Sequence, residues 1–500
     1  MVGVPEQMII GKTERRTVMK KRLTALFCAL TASSFVLISC GETVPEAATQ
    51  TGAPASMPSV ESPAEEPEET ELMDAVPETD LEGYEFRVLS CMHHQDTYSF
   101  IASDEINGTP LNDALYQSKA YIENRFNVKL SSIDSGDTDG NATTVKTTVK
   151  GGDNAFDITI GHDKKTVSLG TQGFLFNVYD IDQFDFSMPW WPELATESWT
   201  INGKMYAVSN YLSYCGLHWT RMMLVNKDLA ADLGIEVPYN TVREGNWTLD
   251  ALKSLADQAT NDLDGNGKMT EQDRFGFCCF RGSWYAMQEA LDLPLYRRDN
   301  EGSIYLDFDV DRADSIMSRL RAMTTPDRFY TAGEFKPGML DGGNFLFAYM
   351  QLKDVYAYVN DCEAHAGFLS TPKLDENQAE YINCCTDAPW GIPAIVGPEQ
   401  QDVIGAVVEA MSCYNYKNIL PAYYEVTMKA RIADEPDDAE MLQLLADTRT
   451  IGFAYAYELP ASNMIEDMLN NSNLAVASYL QKVEKNANKQ LEKLLANFAD

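Results

Sequence analysis

Between residues 84 and 163 the chain alternates its elements in a way that leaves few folds open. Residues 84–89, Tyr-Glu-Phe-Arg-Val-Leu, alternate apolar and polar side chains as a strand does. Leu111, Ala114, Leu115, Ser118, Tyr121, Ile122 and Phe126 fall at helical spacing. Residues 128–133 read as a second strand and 141–150 as a short helix. Residues 156–160 read as a third strand, ending at Gly161-His162-Asp163. Strand, helix, strand, helix, strand predicts an α/β unit with a parallel sheet, whose ligand-facing loops follow the carboxyl ends of the strands. A second alternation follows. A strand at 222–227 leads into a helix at 228–233, and Thr248 can cap a helix carrying Leu249, Leu252, Leu255, Ala256 and Ala259 on one face. Strands are expected at 274–280, 345–350 and 366–370, with a return strand at 391–396. Helices are expected at about 402–413, 421–432 and 437–449, the latter two marked by prolines, and from about 474 to 498. Two α/β units with several crossings predict a cleft between them.

What precedes this region is of another kind. Met19-Lys20-Lys21-Arg22 leads into an apolar run, 23–38, and a small residue, Ser39, before Cys40. A basic start, an apolar centre and a small residue are the marks of a secretory signal, and the run is shorter than the ~20 residues of a spanning helix. Translation from Met1 or from Met19 both fit. Residues 1–39 are therefore expected to be removed. From 40 to 80, Pro, Ala, Thr, Ser and Glu dominate, which predicts a disordered acidic tether. The remainder, about 460 residues, is long enough for two or three domains. The net charge of −36 grows more negative without Lys12, Arg15, Arg16, Lys20, Lys21 and Arg22, which argues against nucleic acid as a partner. Cys91, Cys215, Cys278, Cys279, Cys362, Cys384, Cys385 and Cys413 include no C-x-x-C pair, so they read as buried small hydrophobes.

Leu37-Ile38-Ser39-Cys40 resembles the lipobox of bacterial lipoproteins. That resemblance implies acylation of Cys40, by palmitate or a similar chain, and a membrane anchor facing the extracellular or periplasmic side. Two acyl chains would hold such an anchor stably. Further on stand Gly203-Lys204-Met205-Tyr206, Leu224-Val225-Asn226-Lys227-Asp228-Leu229, Gly245-Asn246-Trp247-Thr248-Leu249-Asp250 and Gly367-Phe368-Leu369-Ser370-Thr371-Pro372-Lys373. In that order, and behind a lipobox and an acidic tether, they resemble the extracellular solute-binding proteins of bacterial ABC importers. More narrowly they resemble family 1, the maltose-binding-protein-like sugar binders. The resemblance covers residues 84 to about 457 and departs in a long, insertion-rich middle. It implies a two-lobed, periplasmic-binding-protein-like type II fold with a hinge and an interlobe cleft. Lobe 1 would be 81–217 plus 386–440, and lobe 2 would be 218–385 plus 441–500. It also implies a monomer without catalysis or organic cofactor that passes a carbohydrate or oligosaccharide to ABC permease subunits.

A sugar site needs aromatic planes and a few hydrogen-bonding groups. His162 and Asp163, after the third strand, either meet the ligand or cap the next helix. Trp284 and Tyr285 align with an aromatic platform of the resembling family, with core packing as the alternative. Trp219, Trp390 and Tyr349 are further candidates, with His93 behind them. Trp190 and Trp191 read as anchors of a surface segment. Residues 262–273 carry oxygen donors at positions 1, 3 and 5, Gly at 6 and an acid at 12 of a calcium loop. One structural calcium ion held by Asp262, Asp264, Asn266, the Lys268 carbonyl and Asp273 is the expectation, against a metal-free acidic turn. A surface-anchored glycoside hydrolase, a peptide-binding importer component and an adhesin remain alternatives.

Overall fold

The computed structural model describes residues 72–280, 284–299, 301–386, 388–428, 436–471 and 473–499. The signal segment, Cys40 and the tether up to residue 71 lie outside them. In the first half, β1 (Tyr84–His93) turns at His94 into the two-residue β2 (Gln95–Asp96). Helix α1 (Pro110–Phe126) starts on a proline, whose missing N–H would have had no partner there, and ends at a left-handed Asn127. β3 (Val128–Asp137) runs parallel to β1 from Tyr84↔Val128 onward, past the expected end at residue 133. Asp137 then caps α2 (Thr138–Gly151) by accepting from the Gly140 N–H at 2.7 Å. β4 (Ile158–Ile160) is parallel to β1 on its other side and leads into α3 (Asp163–Thr171).

This sheet is covered on both faces. Val88, Ile158 and Ile160 lie with Leu111, Leu115, Ile122 and Phe126 of α1 in the main core. Leu89, Val145, Phe156, Leu169 and Leu175 form a separate apolar cluster. Two-sided burial explains why β4 is continuously apolar or neutral rather than alternating. Contact with the folded body begins before β1. Asp74 accepts from both terminal nitrogens of Arg125 at 2.8 and 2.9 Å, and Val76 is buried.

The second half is built on β5 (Arg221–Asn226), β6 (Phe275–Phe280), β9 (Phe329–Ala332), β10 (Phe345–Gln351) and β11 (Ala366–Leu369), in the order β11-β5-β10-β6-β9. Strands β7 (Tyr296–Arg298) and β8 (Ile304–Leu306) form a separate hairpin. β5 is antiparallel to β10 and β11, and β10, β6 and β9 are mutually parallel. Helix Leu249–Ala259, capped by Thr248 as expected, lies close on β6. A Cβ on Gly276 would sit 1.9 Å from the Ala256 carbonyl oxygen, so only glycine permits that approach. α4 (Leu352–Ala357) follows directly on β10.

The chain returns through β12 (Asn383–Cys385) and β13 (Trp390–Gly391), the latter joining the first sheet antiparallel to β4. The outward and return passages touch at an antiparallel bridge between Thr220 and Cys385. α5 (Pro398–Met428) then packs on α1, and α6 (Pro436–Asp447) packs on β11. β14 (Arg449–Ile451) pairs in parallel with β12, and α7 (Val476–Ala496) closes the described chain. Two buried carboxylates fix these late helices. Glu409 of α5 accepts from the indoles of Trp190 and Trp191 at 2.8 and 2.9 Å. Asp438 of α6 accepts from Lys227, Tyr239 and the Phe368 N–H.

Two sequence expectations are corrected here. The helices expected at 402–413 and 421–432 are one helix that runs through Pro421. Proline removes a helical hydrogen bond, but α5 is held from outside by α1 and by buried Tyr423, whose hydroxyl bonds His218 at 3.1 Å. The return strand expected at 391–396 pairs only at Trp390–Gly391, with one further bridge at Pro393, which has no N–H to extend a ladder.

Candidate binding cleft

The parallel strands of the two sheets end toward the same space. From the first half come the ends of β1 and β4, with His93, His94, His162 and Asp163. From the second come the start of β5 at Arg221, the end of β10 at Gln351, and the Ser370-Thr371 turn after β11. Arg221 and Gln351 are paired across β5 and β10, so both lie at that end of the sheet. Carboxyl ends of open α/β sheets are where ligands bind, because the loops there are free to carry function.

One wall is a cluster of rings around Trp219. His94 holds a left-handed backbone (φ 64°) that reverses β1 into β2 and carries His93 and His94 on the tip. The His93 ring stacks on Trp219 at 5.8 Å with 16° between planes, and lies 4.3 Å from His162. His94 is 5.2 Å from Trp219, and Lys353 Nζ, at the start of α4, sits 3.8 Å from the indole centroid. Burial first, and then the neighbouring His162 and His94 rings, push the His93 pKa down to about 4, against the pull of Asp163. His218, fully buried behind Trp219, is pushed down to about 3 by burial first and by Lys353 second.

The other wall belongs to tyrosines. Tyr285 stacks on Tyr455 at 3.9 Å with 11° between planes, and Lys164 Nζ from α3 lies 4.1 Å from the Tyr455 ring. This contact chain joins the two halves. Arg221, 4 % exposed, is close enough to Tyr285, Tyr349 and Tyr455 to favour their phenolates, while burial pushes all three pKa values up. Asp163 is 2 % exposed and accepts from the Lys164 N–H at 2.6 Å. Among the described residues, the Tyr285 hydroxyl, the Tyr349 hydroxyl, the Thr371 hydroxyl and Trp219 Nε1 are buried with no hydrogen-bond partner. Orphaned buried donors are costly, so their concentration at one place is informative.

The seven ligand candidates are thus sorted by position. His162, Asp163, Trp219, Tyr285 and Tyr349 are brought to the cleft end of the two sheets. His162 and Asp163 also start α3, with His162 Nδ1 accepting from the Lys164 N–H at 3.2 Å. Trp284 packs against Phe329 in the second-half core, and Trp390 is fully buried, its indole donating to Asn210 at 3.0 Å. His94, Arg221, Lys353, Thr371 and Tyr455 join the cleft without having been singled out from sequence. Only Arg221 carried a signal there, as a charge at the mouth of an otherwise apolar strand.

The 262–273 loop lies at the opposite end of the second sheet. Asp262, Asp264 and Asp273 bring carboxylate oxygens within 4.8 Å of one another. Asp262 accepts from the Gly265 and Gly267 N–H groups, and both glycines hold positive φ. Asp273 accepts from Leu263 and Thr270, and the Thr270 N–H holds its carboxyl below the usual range. Asn266 turns its side-chain oxygen to the Lys268 N–H. An all-oxygen, acid-rich set of this kind fits a hard divalent cation. Beside it lies an open depression of about 620 Å³ lined by Glu271, Phe335, Lys336, Met339 and Asn344. It sits at the amino end of β10, away from the clustered rings and orphaned donors.

The eight described cysteines are buried and form no disulfide among themselves. Among the described residues no helix is long and apolar enough to cross a membrane.

No protein family and no curated protein matches the sequence. Solved structures do match in fold. UgpB from Mycobacterium tuberculosis, in complex with glycerophosphocholine, has a TM-score of 0.54 at 15% identity, over 82% of this chain and 98% of that one. The cyclic α-maltosyl-1,6-maltose binding protein from Arthrobacter globiformis has a TM-score of 0.55 at 15% identity, over 82% and 99%. The ABC substrate-binding protein Lmo0181 from Listeria monocytogenes, in complex with cycloalternan, has a TM-score of 0.52 at 14% identity, over 82% and 100%. Such neighbours are two-lobed periplasmic binding proteins, and the likeness shows that this chain shares their α/β fold.

Proposed function

We propose that this chain is a family 1 extracellular solute-binding protein, which captures a saccharide in the cleft between its halves and delivers it to an ABC importer without altering it. The observation that carries this reading is the meeting of Trp219, the Tyr285–Tyr455 stack and four buried donors without a partner among the described residues, where two α/β sheets end. Flat rings suit the apolar faces of sugar rings, and fixed donors suit their oxygens. A ligand touching both halves binds the closed form more tightly and shifts the population toward it, which a permease can read. The saccharides and the glycerophosphodiester named for the structural neighbours support a small polar solute. Titrating the purified chain with oligosaccharides tests the proposal. A rise in melting temperature with the saccharide recovered intact supports it, and release of cleaved product overturns it.

The same reading includes an anchor and a metal. Acylation of Cys40 would hold the protein outside the membrane, and mass spectrometry of the protein from native membranes would find the acyl chains. The 262–273 loop would hold one structural calcium ion through Asp262, Asp264, Asn266, the Lys268 carbonyl and Asp273. Far from the cleft, that ion would brace the entry to β6 and have no part in binding solute.

A further inference from the structure

We infer, building on the reading of two halves that close on a solute, that acid opens the cleft: protonation of the imidazoles gathered at Trp219 drives the halves apart and loosens the hold on the solute. Four of the chain's five histidines, His93, His94, His162 and His218, lie at this one place. They come from three separate parts of the fold. His93 and His94 ride the turn after β1, His162 stands just before α3, and His218 ends the short helix Cys215–His218 that leads to β5. The His93 ring lies 4.3 Å from His162 and 4.7 Å from His94, and stacks on Trp219 at the passage into the second half. Between neutral rings these are ordinary packing contacts. Between protonated rings they set like charges side by side, where a water-poor site strengthens the repulsion.

The groups around His93 decide the sign. Its own turn supplies His94, while Asp96 stands opposite Met92, on the other face of the hairpin. From the start of α3 come His162 and Asp163, 2.6 Å apart, and Lys164 is turned to Tyr455 and Glu458. His218 is buried behind the indole. From α4 come Lys353, 3.8 Å from the indole centroid, and Asp354, whose carboxylate accepts from the Gln351 N–H at 3.3 Å. Burial is the largest influence against a charge on His93. His162, His94 and Lys353 add to it, and Asp163 pulls the other way. Trp219 and Lys353 belong to the second half, so parting the halves returns the His93 ring to water. Its pKa then moves from about 4 up toward the ordinary 6.5, and opening takes up a proton. Closure is therefore fully supported above pH 6.5 and loses that support as pH falls toward 4.

Small-angle X-ray scattering of the solute-free full chain from about pH 7.5 to about pH 4.5 tests this, with far-UV circular dichroism on the same samples. The radius of gyration should rise as pH falls, with a midpoint between 6.5 and 4 and the ellipticity unchanged. His93→Gln should flatten the response. His365→Gln, at the fifth histidine, which is exposed and paired with Asp228, should leave it intact. Calorimetry with maltotriose as probe should show affinity falling by up to about tenfold per pH unit, the slope for one proton taken up. A constant radius overturns the inference. So does a rise that His93→Gln keeps, a rise that comes with loss of ellipticity, or a maltotriose affinity that is flat across the range. If maltotriose gives no heat at any pH, that counts against the proposed function alone, because the radius is read without solute and still decides.

Discussion

Replacing Tyr349 by phenylalanine should make the protein more stable and a poorer binder at once. Tyr349 is 1 % exposed on β10, and its hydroxyl is buried without a hydrogen-bond partner among the described residues. Leaving a buried hydroxyl unpaired costs about 1–3 kcal/mol, and Tyr→Phe removes that group while keeping the ring in place. A stabilisation near the low end, about 1 kcal/mol, is expected in the absence of ligand. For a folded body of roughly 430 residues the melting entropy is about 0.9 kcal/mol/K, so this amounts to a rise of about 1 °C in Tm. With ligand the sign reverses. The lost hydrogen bond should weaken binding by about 0.5–1.5 kcal/mol, or roughly two- to tenfold in Kd. Differential scanning calorimetry with and without a bound saccharide reads both effects on one sample. A lower Tm without ligand would mean that the hydroxyl has a partner in the resting protein. An unchanged Kd would mean that Tyr349 does not face the solute. Either result refutes the reasoning.

Three other perturbations have defined outcomes. His93 has a pKa of about 4 in the folded protein against an ordinary 6.5, so its neutral form stabilises the ring cluster fully above pH 6.5. That contribution should fade as pH falls from 6.5 toward 4. Since the ring is partly exposed, about 1–2 kcal/mol is a screened ceiling, and Tm against pH for His93→Gln should lose this slope. Glu409→Ala leaves the buried indoles of Trp190 and Trp191 without their acceptor. Urea denaturation should show a loss of about 2–5 kcal/mol, and a loss under 1 kcal/mol would mean that the clamp is dispensable. Removal of calcium with a chelator should lower Tm in the native chain but not in Asp262→Ala. An equal response in both would remove calcium from the loop.

The fold was legible where local pattern and tertiary packing agree. β1, α1, the Thr248-capped helix and the final amphipathic helix follow apolar spacing, because each buries one face against a sheet or helix. The long helix α5 did not follow its punctuation: packing on α1 and the Tyr423–His218 bond outweigh the proline. At the site, His162 and Asp163 could be placed from their position after a strand alone. Trp284 and Tyr285 show the limit of that method. They are adjacent in sequence, yet Trp284 enters the core while Tyr285 meets Tyr455, because successive side chains at a helix start point in different directions. Lys353 and Tyr455 carry no local signal at all. Their role comes from contacts with Trp219 and Lys164, residues more than a hundred positions away.

The account rests on two halves shutting around an unaltered solute, and small-angle X-ray scattering during a saccharide titration reaches that most directly. The radius of gyration should fall saturably with the same midpoint as binding. Unfolding the complex afterwards should return the saccharide intact. A radius that stays constant through saturation, or a saccharide returned in pieces, would contradict it.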